Sequence, residues 1–412
     1  MTIAASRRDA EILDQNDPLA SFRDLFHLPD GIIYLDGNSL GPMAKSVPGL
    51  VEDALERQWA TDLITSWNTA GWWELPLTLG EKIAPLIGAG TGQTVVTDST
   101  SINLYKTVQA ALELSPGRKV IISESDSFPT DLYILEGVMG ETGLSRRLIG
   151  EDGAGLDQHL SDDVAVVLLS NVNYRSGALM DMAEVARKVH DAGAIMVWDL
   201  CHSAGVIPME LDAWNVDFAV GCTYKYLNGG PGAPAFIYAA KRHHDAIRQP
   251  LSGWWGHGAP FEFETRFRPA SGVRAFLCGT QPIISMTALS AALDVYGEVD
   301  IGEVRKKSMA LTGLFIDLVE KFCPQLGVVS PRDANSRASQ VALSHEHGYA
   351  IVQALIARGV IGDFRAPDIL RFGFAPLFIR YADVWDAVGH LREIMDTGAW
   401  DNAEFKQRAA VT

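Results

Sequence analysis

Residues 217–232 read Asp-Phe-Ala-Val-Gly-Cys-Thr-Tyr-Lys-Tyr-Leu-Asn-Gly-Gly-Pro-Gly. The apolar run Phe218–Cys222 has the length and composition of a buried strand. Thr223-Tyr224-Lys225-Tyr226 follows at once, and Asn228 to Gly232 are turn formers. Lys225 therefore stands just past a strand end, between two tyrosines, ahead of a loop that can pass close to a ligand. An ammonium partly removed from water in such a place loses basicity and becomes an amine nucleophile. Its chemistry would be Schiff-base formation with an aldehyde or ketone. An ordinary surface lysine would need no such setting, so the partners elsewhere in the chain decide between the two.

Working outward, apolar strand patterns alternate with helical ones. Strands are expected at Thr94 onward, Val120–Ser123, Leu144–Ile149, Val164–Leu169, Ala194–Trp198 and Ala233–Ala239. Helices are expected between most of them, along with one over Leu75–Ile87 and one over Met182–Ala192. Such alternation predicts an α/β fold with a mostly parallel sheet covered on both faces. Ligands of such sheets sit at the carboxyl ends of the strands. Asp131, Ser170, Asp199, His202 and Lys225 all fall at or just past strand ends. Asp98-Ser99-Thr100-Ser101 forms a hydroxyl-rich strand-to-helix turn, which serves equally as a helix cap and as an anion site. Gly88-Ala89-Gly90-Thr91-Gly92 follows a helix, so it reads as a helix C-cap and turn and not as a dinucleotide loop. The Trp67, Trp72, Trp73 cluster reads chiefly as core packing. After Asp300 the pattern changes to a smaller α+β arrangement. The expected domains are an N-terminal segment, 1–44, packing with the small domain; a large α/β domain, 45–295; and a small C-terminal α+β domain, 296–412.

Composition narrows the function classes. The 412 residues carry a formal charge of −17, which repels nucleic acid and anionic membranes. A hydrophobic fraction of 47% with 21% charged residues belongs to a folded enzyme and not to a disordered chain. No apolar run reaches the roughly 18 residues of a membrane span, and Met1–Asp17 lacks a signal-peptide core. The four cysteines, Cys201, Cys222, Cys278 and Cys323, form no Cys-x-x-Cys pair, as expected of thiols in a reducing, cytoplasmic setting. His243-His244 and His345-Glu346-His347 lack zinc-ligand spacing and are expected to face solvent, so no metal site is expected.

Together these residues suit pyridoxal 5'-phosphate (PLP). That cofactor needs a lysine for its aldehyde, a carboxylate for its pyridinium nitrogen, an anion cradle for its phosphate and surfaces against its ring. Lys225, Asp199, the Thr100/Ser101 helix start with the Tyr224 hydroxyl, and Phe128 with His202 offer the four in turn.

At the level of motifs the chain resembles the kynureninase family nearly end to end. The resemblance rests on Asp36-Gly-Asn-Ser-Leu-Gly41, Phe128-Pro-Thr-Asp131, Trp198-Asp-Leu-Cys-His-Ser203, Thr223-Tyr-Lys-Tyr-Leu-Asn228, Trp254-Trp-Gly-His257, Thr280-Gln-Pro282 and Leu370-Arg-Phe-Gly-Phe-Ala-Pro376. It implies the aspartate-aminotransferase-like PLP fold type I and hydrolysis of L-kynurenine to anthranilate and L-alanine in tryptophan degradation, with the 3-hydroxy form as an alternative substrate. It implies that Lys225 binds PLP, that Asp199 and Asp131 serve the pyridine end near His202, and that Phe128 stacks on the ring. Thr100, Ser101, Ser170 and Tyr224 would serve the phosphate and its surroundings. Trp254 and Thr280 would reach the phosphate of a neighbouring subunit, making a homodimer. Arg371 would take the substrate α-carboxylate, and Asn38, Ser39, Trp67 and His257 would border the aryl ring. Lys225 would move the Cα proton and Tyr224 would relay protons later. Some members carry Asn where Thr280 stands, so a hydroxyl replaces an amide there. Cys201 stands where Ala is expected, with no effect on the chemistry anticipated. A desulfurase of the same fold would need a reactive loop cysteine; Cys278 is the one to consider, and no neighbour lowers its thiol pKa.

Overall fold

The computed structural model describes residues 6–408; residues 1–5 and 409–412 lie outside it, and with them the start of the Met1–Asp17 expectation. The chain divides into two compact units. One comprises Ser46–Asn173 and Met180–Gly297; the other comprises the described residues within Met1–Lys45, Tyr174–Leu179 and Glu298–Thr412.

The first unit is built on a seven-stranded sheet. Its spatial order is Thr94–Thr97, Ala235–Ala239, Phe218–Gly221, Ile195–Asp199, Val164–Ser170, Val120–Glu124, Ser145–Ile149. The last five run parallel. Ala235–Ala239 runs antiparallel to both its neighbours. Two reversals cancel, so Thr94–Thr97 points the same way as the parallel set. The strands ending at Thr97, Glu124, Ser170, Asp199 and Gly221 therefore finish on one edge of the sheet. Most of these strands are buried along their whole length, because helices cover the sheet and leave no polar face. Val95, Val166, Val197, Phe218 and Ile237 meet Leu104 and Val108 of the Thr100–Glu113 helix in this core. Each such side chain contributes about 1.5–3 kcal/mol by leaving water.

Local chemistry fixes the helix ends. The Ser99 side chain accepts from the Ile102 amide at 3.5 Å and starts the Thr100–Glu113 helix. Pro129 opens Pro129–Thr142, where its missing N–H costs nothing. The helix predicted over Leu75–Ile87 is α-helical only to Ile83 and tightens to a 3₁₀ turn over Ala84–Ile87. Pro85 has no N–H to return to the preceding turn.

His243 departs from its predicted solvent position. It stacks on Phe218 at 5.4 Å, and its Nε2 bonds Asp217 at 2.7 Å. His190 Nε2, Arg242 and the Met196 amide also bond this carboxylate, at 2.7, 2.6 and 2.8 Å. Two segments with three strands between them, the end of the Met182–Asp191 helix and the turn after Ala235–Ala239, thus supply the histidines, which sequence spacing does not reveal. His244 bonds the Ala239 carbonyl at 3.0 Å. Burial alone would push the Asp217 carboxyl up; donation from His190, His243 and Met196 outweighs it and holds the group below the usual carboxylate range. A depressed folded-state pKa stabilises above the unfolded value near 4 and is lost as pH falls below it. Asp217→Asn is expected to cost about 2–3 kcal/mol at neutral pH, discounted because Arg242 is partly exposed. Urea unfolding at pH 7 and at pH 3.5 checks this, since the gap between variant and wild type should narrow in acid.

The second unit holds a four-stranded antiparallel sheet ordered Asp363–Arg365, Ile369–Gly373, Gln340–Ser344, Gly327–Val328. Ile33–Tyr34 pairs in parallel with Val360–Ile361. Val360–Ile361 and Asp363–Arg365 are separate strands divided at Gly362, where a Cβ would sit 2.7 Å from the Phe372 ring. The N-terminal segment is tied into this unit by charge. Asp17 pairs with buried Lys307 at 2.6 Å. Asp14 accepts from the amides of Tyr381 and Ala382 at 2.6 and 3.0 Å, at the start of the Tyr381–Thr397 helix, where an acid is favoured by the helix dipole.

Candidate active site

Lys225 lies beyond the end of Phe218–Gly221, in a turn held by its own backbone. Thr223 Oγ1 donates to the Pro234 carbonyl at 2.7 Å, and the Gly229 and Asn228 amides bond the Thr223 and Lys225 carbonyls, each at 2.9 Å. Gly229 is required here, because a Cβ would lie 3.0 Å from the Thr223 carbonyl oxygen. The half-buried Lys225 places its Nζ 2.8 Å from His202 Nε2. His202 follows the adjacent strand and is 7% exposed.

Two carboxylates share this edge. Asp199 ends its strand opposite Ser170 on one side and Val220 on the other. Its Oδ1 accepts from the Cys201 amide at 2.6 Å. Asp131, in the first turn of its helix, is 1% exposed, and its Oδ2 has no hydrogen-bond partner. Burial, then the charge of Asp199 beside it, push Asp131 well above the carboxylate range, against the pull of Lys225. An orphaned buried acceptor costs about 1–3 kcal/mol unless a donor meets it. A protonated ring nitrogen is such a donor, so this pair fits the pyridine end of PLP. Burial raises the Tyr224 hydroxyl above the usual tyrosine range, with Cys222 and Cys201 adding to it, so it is a protonated donor at neutral pH.

The Thr100–Glu113 helix points its N-terminus to the same edge, with half-buried Thr100 and Ser101 in its first turn. Unpaired first-turn amides and hydroxyls form an anion cradle. The Ser170 amide faces Glu124 at 3.4 Å. Phe128 is 43% exposed.

The other predicted residues lie in separate surroundings. Trp67 sits in an aromatic cluster, edge-on to Trp254 at 5.9 Å and to Trp255 at 5.0 Å. Trp254 is 39% exposed and Thr280 is exposed on the surface of its unit. His257 is buried, with Nδ1 accepting from the Ala259 amide at 2.9 Å. In the second unit, Asp363 holds the buried Arg371 side-on, meeting its Nε at 2.9 Å and also its Nη2. Arg371 also donates to Ser39 Oγ at 2.9 Å and to the Tyr174 carbonyl at 2.6 Å. Asn38 is fully buried and reaches Gln340 at 3.4 Å. Asp36 stands beside this group, raised to about 7 by burial and then by the Asp363 charge.

Sequence reading passed over three contributors. Asp363 lies directly across the ladder from Arg371, a relation set by strand register alone. Cys201, expected to be inert, accepts from the Cys222 amide at 3.1 Å and lies 3.7 Å from Thr100 Oγ1, linking the lysine strand to the cradle. Lys106, on the buried side of the cradle helix, carried no motif that marked it.

Comparison with known proteins gives a consistent set of relatives. A family model described as the kynureninase C-terminal domain matches residues 304–391. A kynureninase of Burkholderia pseudomallei is 51% identical, the match covering 99% of this chain and 100% of the relative. A kynureninase of Pseudomonas fluorescens is 47% identical over the same shares. Among solved structures, a cysteine desulfurase of Escherichia coli superposes with a TM-score of 0.77 at 20% identity, covering 92% of this chain and 98% of that one. A C-DES mutant with glycine covalently linked to its PLP cofactor superposes at 0.78 and 15% identity, covering 90% and 99%. The solved structures share the fold.

Proposed function

The chain belongs to the kynureninase family, and we propose how its residues divide the work of PLP-dependent hydrolysis of L-kynurenine to anthranilate and L-alanine, a step of tryptophan degradation. The reading is carried by one observation: Lys225, His202, Asp199 and Asp131 converge where the parallel strands end.

Lys225 would hold the cofactor aldehyde, Asp199 and Asp131 its ring nitrogen, Phe128 and His202 its ring, and Thr100, Ser101, Ser170 and Tyr224 its phosphate and surroundings. When bound, PLP withdraws electrons from the substrate amino acid through its protonated ring. Lys225, once released from the cofactor, would take the Cα proton as general base and later deliver it as general acid. His202, 2.8 Å from the amine, would steer it. Tyr224, kept protonated by burial, would donate to the γ-carbonyl oxygen as water adds there, take a proton back as the Cβ–Cγ bond breaks and the carboxyl group of anthranilate forms, and pass it on to complete the methyl group of alanine. Arg371, oriented by Asp363, is assigned to the substrate α-carboxylate through charge-assisted contacts. Asn38, Ser39, Trp67 and His257 are assigned to the aryl ring. Trp254 and Thr280, exposed on their unit, are assigned to the phosphate of a second subunit in a homodimer. We place the enzyme in the cytoplasm, where its four free cysteines would stay reduced; no helix among the described residues is long and apolar enough to cross a membrane.

A desulfurase reaction finds no free nucleophile in this thiol pair: Cys201 and Cys222 are both buried, the Cys201 sulfur accepting from the Cys222 amide at 3.1 Å and the Cys222 thiol donating to the Cys201 carbonyl at 3.7 Å. The test is direct. Supplied with PLP and L-kynurenine and no keto acid, the protein is expected to release fluorescent anthranilate and alanine in equal amounts. The 3-hydroxy substrate run in parallel measures preference. Bound cofactor with no anthranilate would overturn the reading.

A further inference from the structure

We propose that Lys106, with Asp98, is a positioning pair that presents the cradle helix to the cofactor phosphate; this rests on the assignment of Thr100 and Ser101 to that phosphate.

Asp98 is the last residue between the Thr94–Thr97 strand and the Ser99 cap, and its φ of +41° lies in the left-handed region that non-glycine residues avoid. Such backbone persists only where its surroundings over-determine it. Several contacts do so. The Asp98 carbonyl accepts from the Ala235 amide at 2.8 Å. Its amide and the Thr97 hydroxyl meet Gln281 Oε1 at 3.4 and 3.1 Å. Its carboxylate accepts from Lys106 Nζ. Lys106 projects from the same helix about two turns on and is wholly buried, while Asp98 keeps 28% of its side-chain exposure. The ammonium has a second acceptor, the Phe276 carbonyl, at 2.6 Å. Phe276 leads into the segment that carries Thr280, and Gln281 closes that segment through the Gly279 carbonyl at 3.1 Å. One buried cation therefore ties the cradle turn to the stretch assigned to a neighbouring subunit's phosphate.

Charge adds a second reason. An acid two residues ahead of an anion-binding helix start repels a phosphate dianion unless it is neutralised. Lys106 supplies that neutralisation from the side away from solvent, so the helix amides and hydroxyls act undiminished.

The experiment titrates the full-length chain with PLP and with pyridoxal, which lacks the phosphate, following the absorbance of the bound cofactor. Lys106→Met is expected to raise the PLP dissociation constant about tenfold and to leave pyridoxal within twofold of wild type. Lys106→Arg should recover most of the loss by restoring the cation. The double variant Asp98→Asn/Lys106→Met has no uncompensated charge and folds even where the single change does not; it should bind PLP at least threefold more weakly than wild type, with pyridoxal again unaltered. Equal PLP affinity in the Lys106 variants and wild type overturns the proposal. So does an equal weakening of PLP and pyridoxal, which marks a merely structural role. Thr100→Ala separates the premise: if it weakens PLP and the Lys106 variants do not, only this inference falls. If Thr100→Ala leaves PLP as tight as wild type, the cradle assignment itself falls.

Discussion

Lys225→Ala is expected to abolish both the visible absorbance of bound PLP and turnover, with kcat reduced about 10⁴-fold or more. Two losses combine in one side chain: the amine that captures the aldehyde and the base that moves the Cα proton. Lys225→Arg separates nucleophile from charge. A guanidinium keeps the cation beside His202 but cannot form the Schiff base at any accessible pH, so it should be as inactive as alanine. Neither change reaches the core, because Lys225 is half-buried at a strand end, and thermal unfolding should move little. An alanine variant that keeps the wild-type cofactor spectrum would place the site elsewhere.

The second large effect falls on the paired carboxylates. Asp199→Asn preserves shape and the acceptor for the Cys201 amide, which bonds Oδ1 at 2.6 Å. It removes the charge that keeps a pyridine nitrogen protonated, and an uncharged ring is a poor electron acceptor. The expected cost is about 10²–10³-fold in kcat, the size of a lost electrostatic contact to developing charge. A cofactor methylated on the ring nitrogen carries its positive charge permanently and should restore part of the rate. The substitution also removes the like charge that helps hold Asp131 up. Asp131 should then ionise at lower pH, and the acid limb of the kcat profile should shift downward. Unchanged kcat in the asparagine variant, or no response to the methylated cofactor, would assign the ring nitrogen to another partner.

The chain's order of elements was legible because its signals are local. Continuous apolar runs bounded by turn residues mark buried parallel strands, and a parallel sheet puts all such carboxyl ends on one edge. That reasoning was enough to group Asp131, Ser170, Asp199, His202 and Lys225 before any geometry was known. Hydroxyls at a strand-to-helix turn marked Thr100 and Ser101 in the same way. Histidine spacing misled, because the partners of Asp217 come from separate segments, His190 ahead of it and Arg242 and His243 after it.

By itself, then, the amino-acid sequence determined which side chains stand at strand ends, and so where an aldehyde cofactor could be received. Only the tertiary structure decided how those side chains are held. Asp363 faces Arg371 because two antiparallel strands pair in one register, and a slip of one residue would send it to the other face. Lys106 meets Asp98 and Phe276, and Cys201 meets Cys222, only after distant segments close on one another. Periodicity along a chain fixes the face on which a residue lies; the partner it meets there depends on long-range packing, which no local pattern encodes.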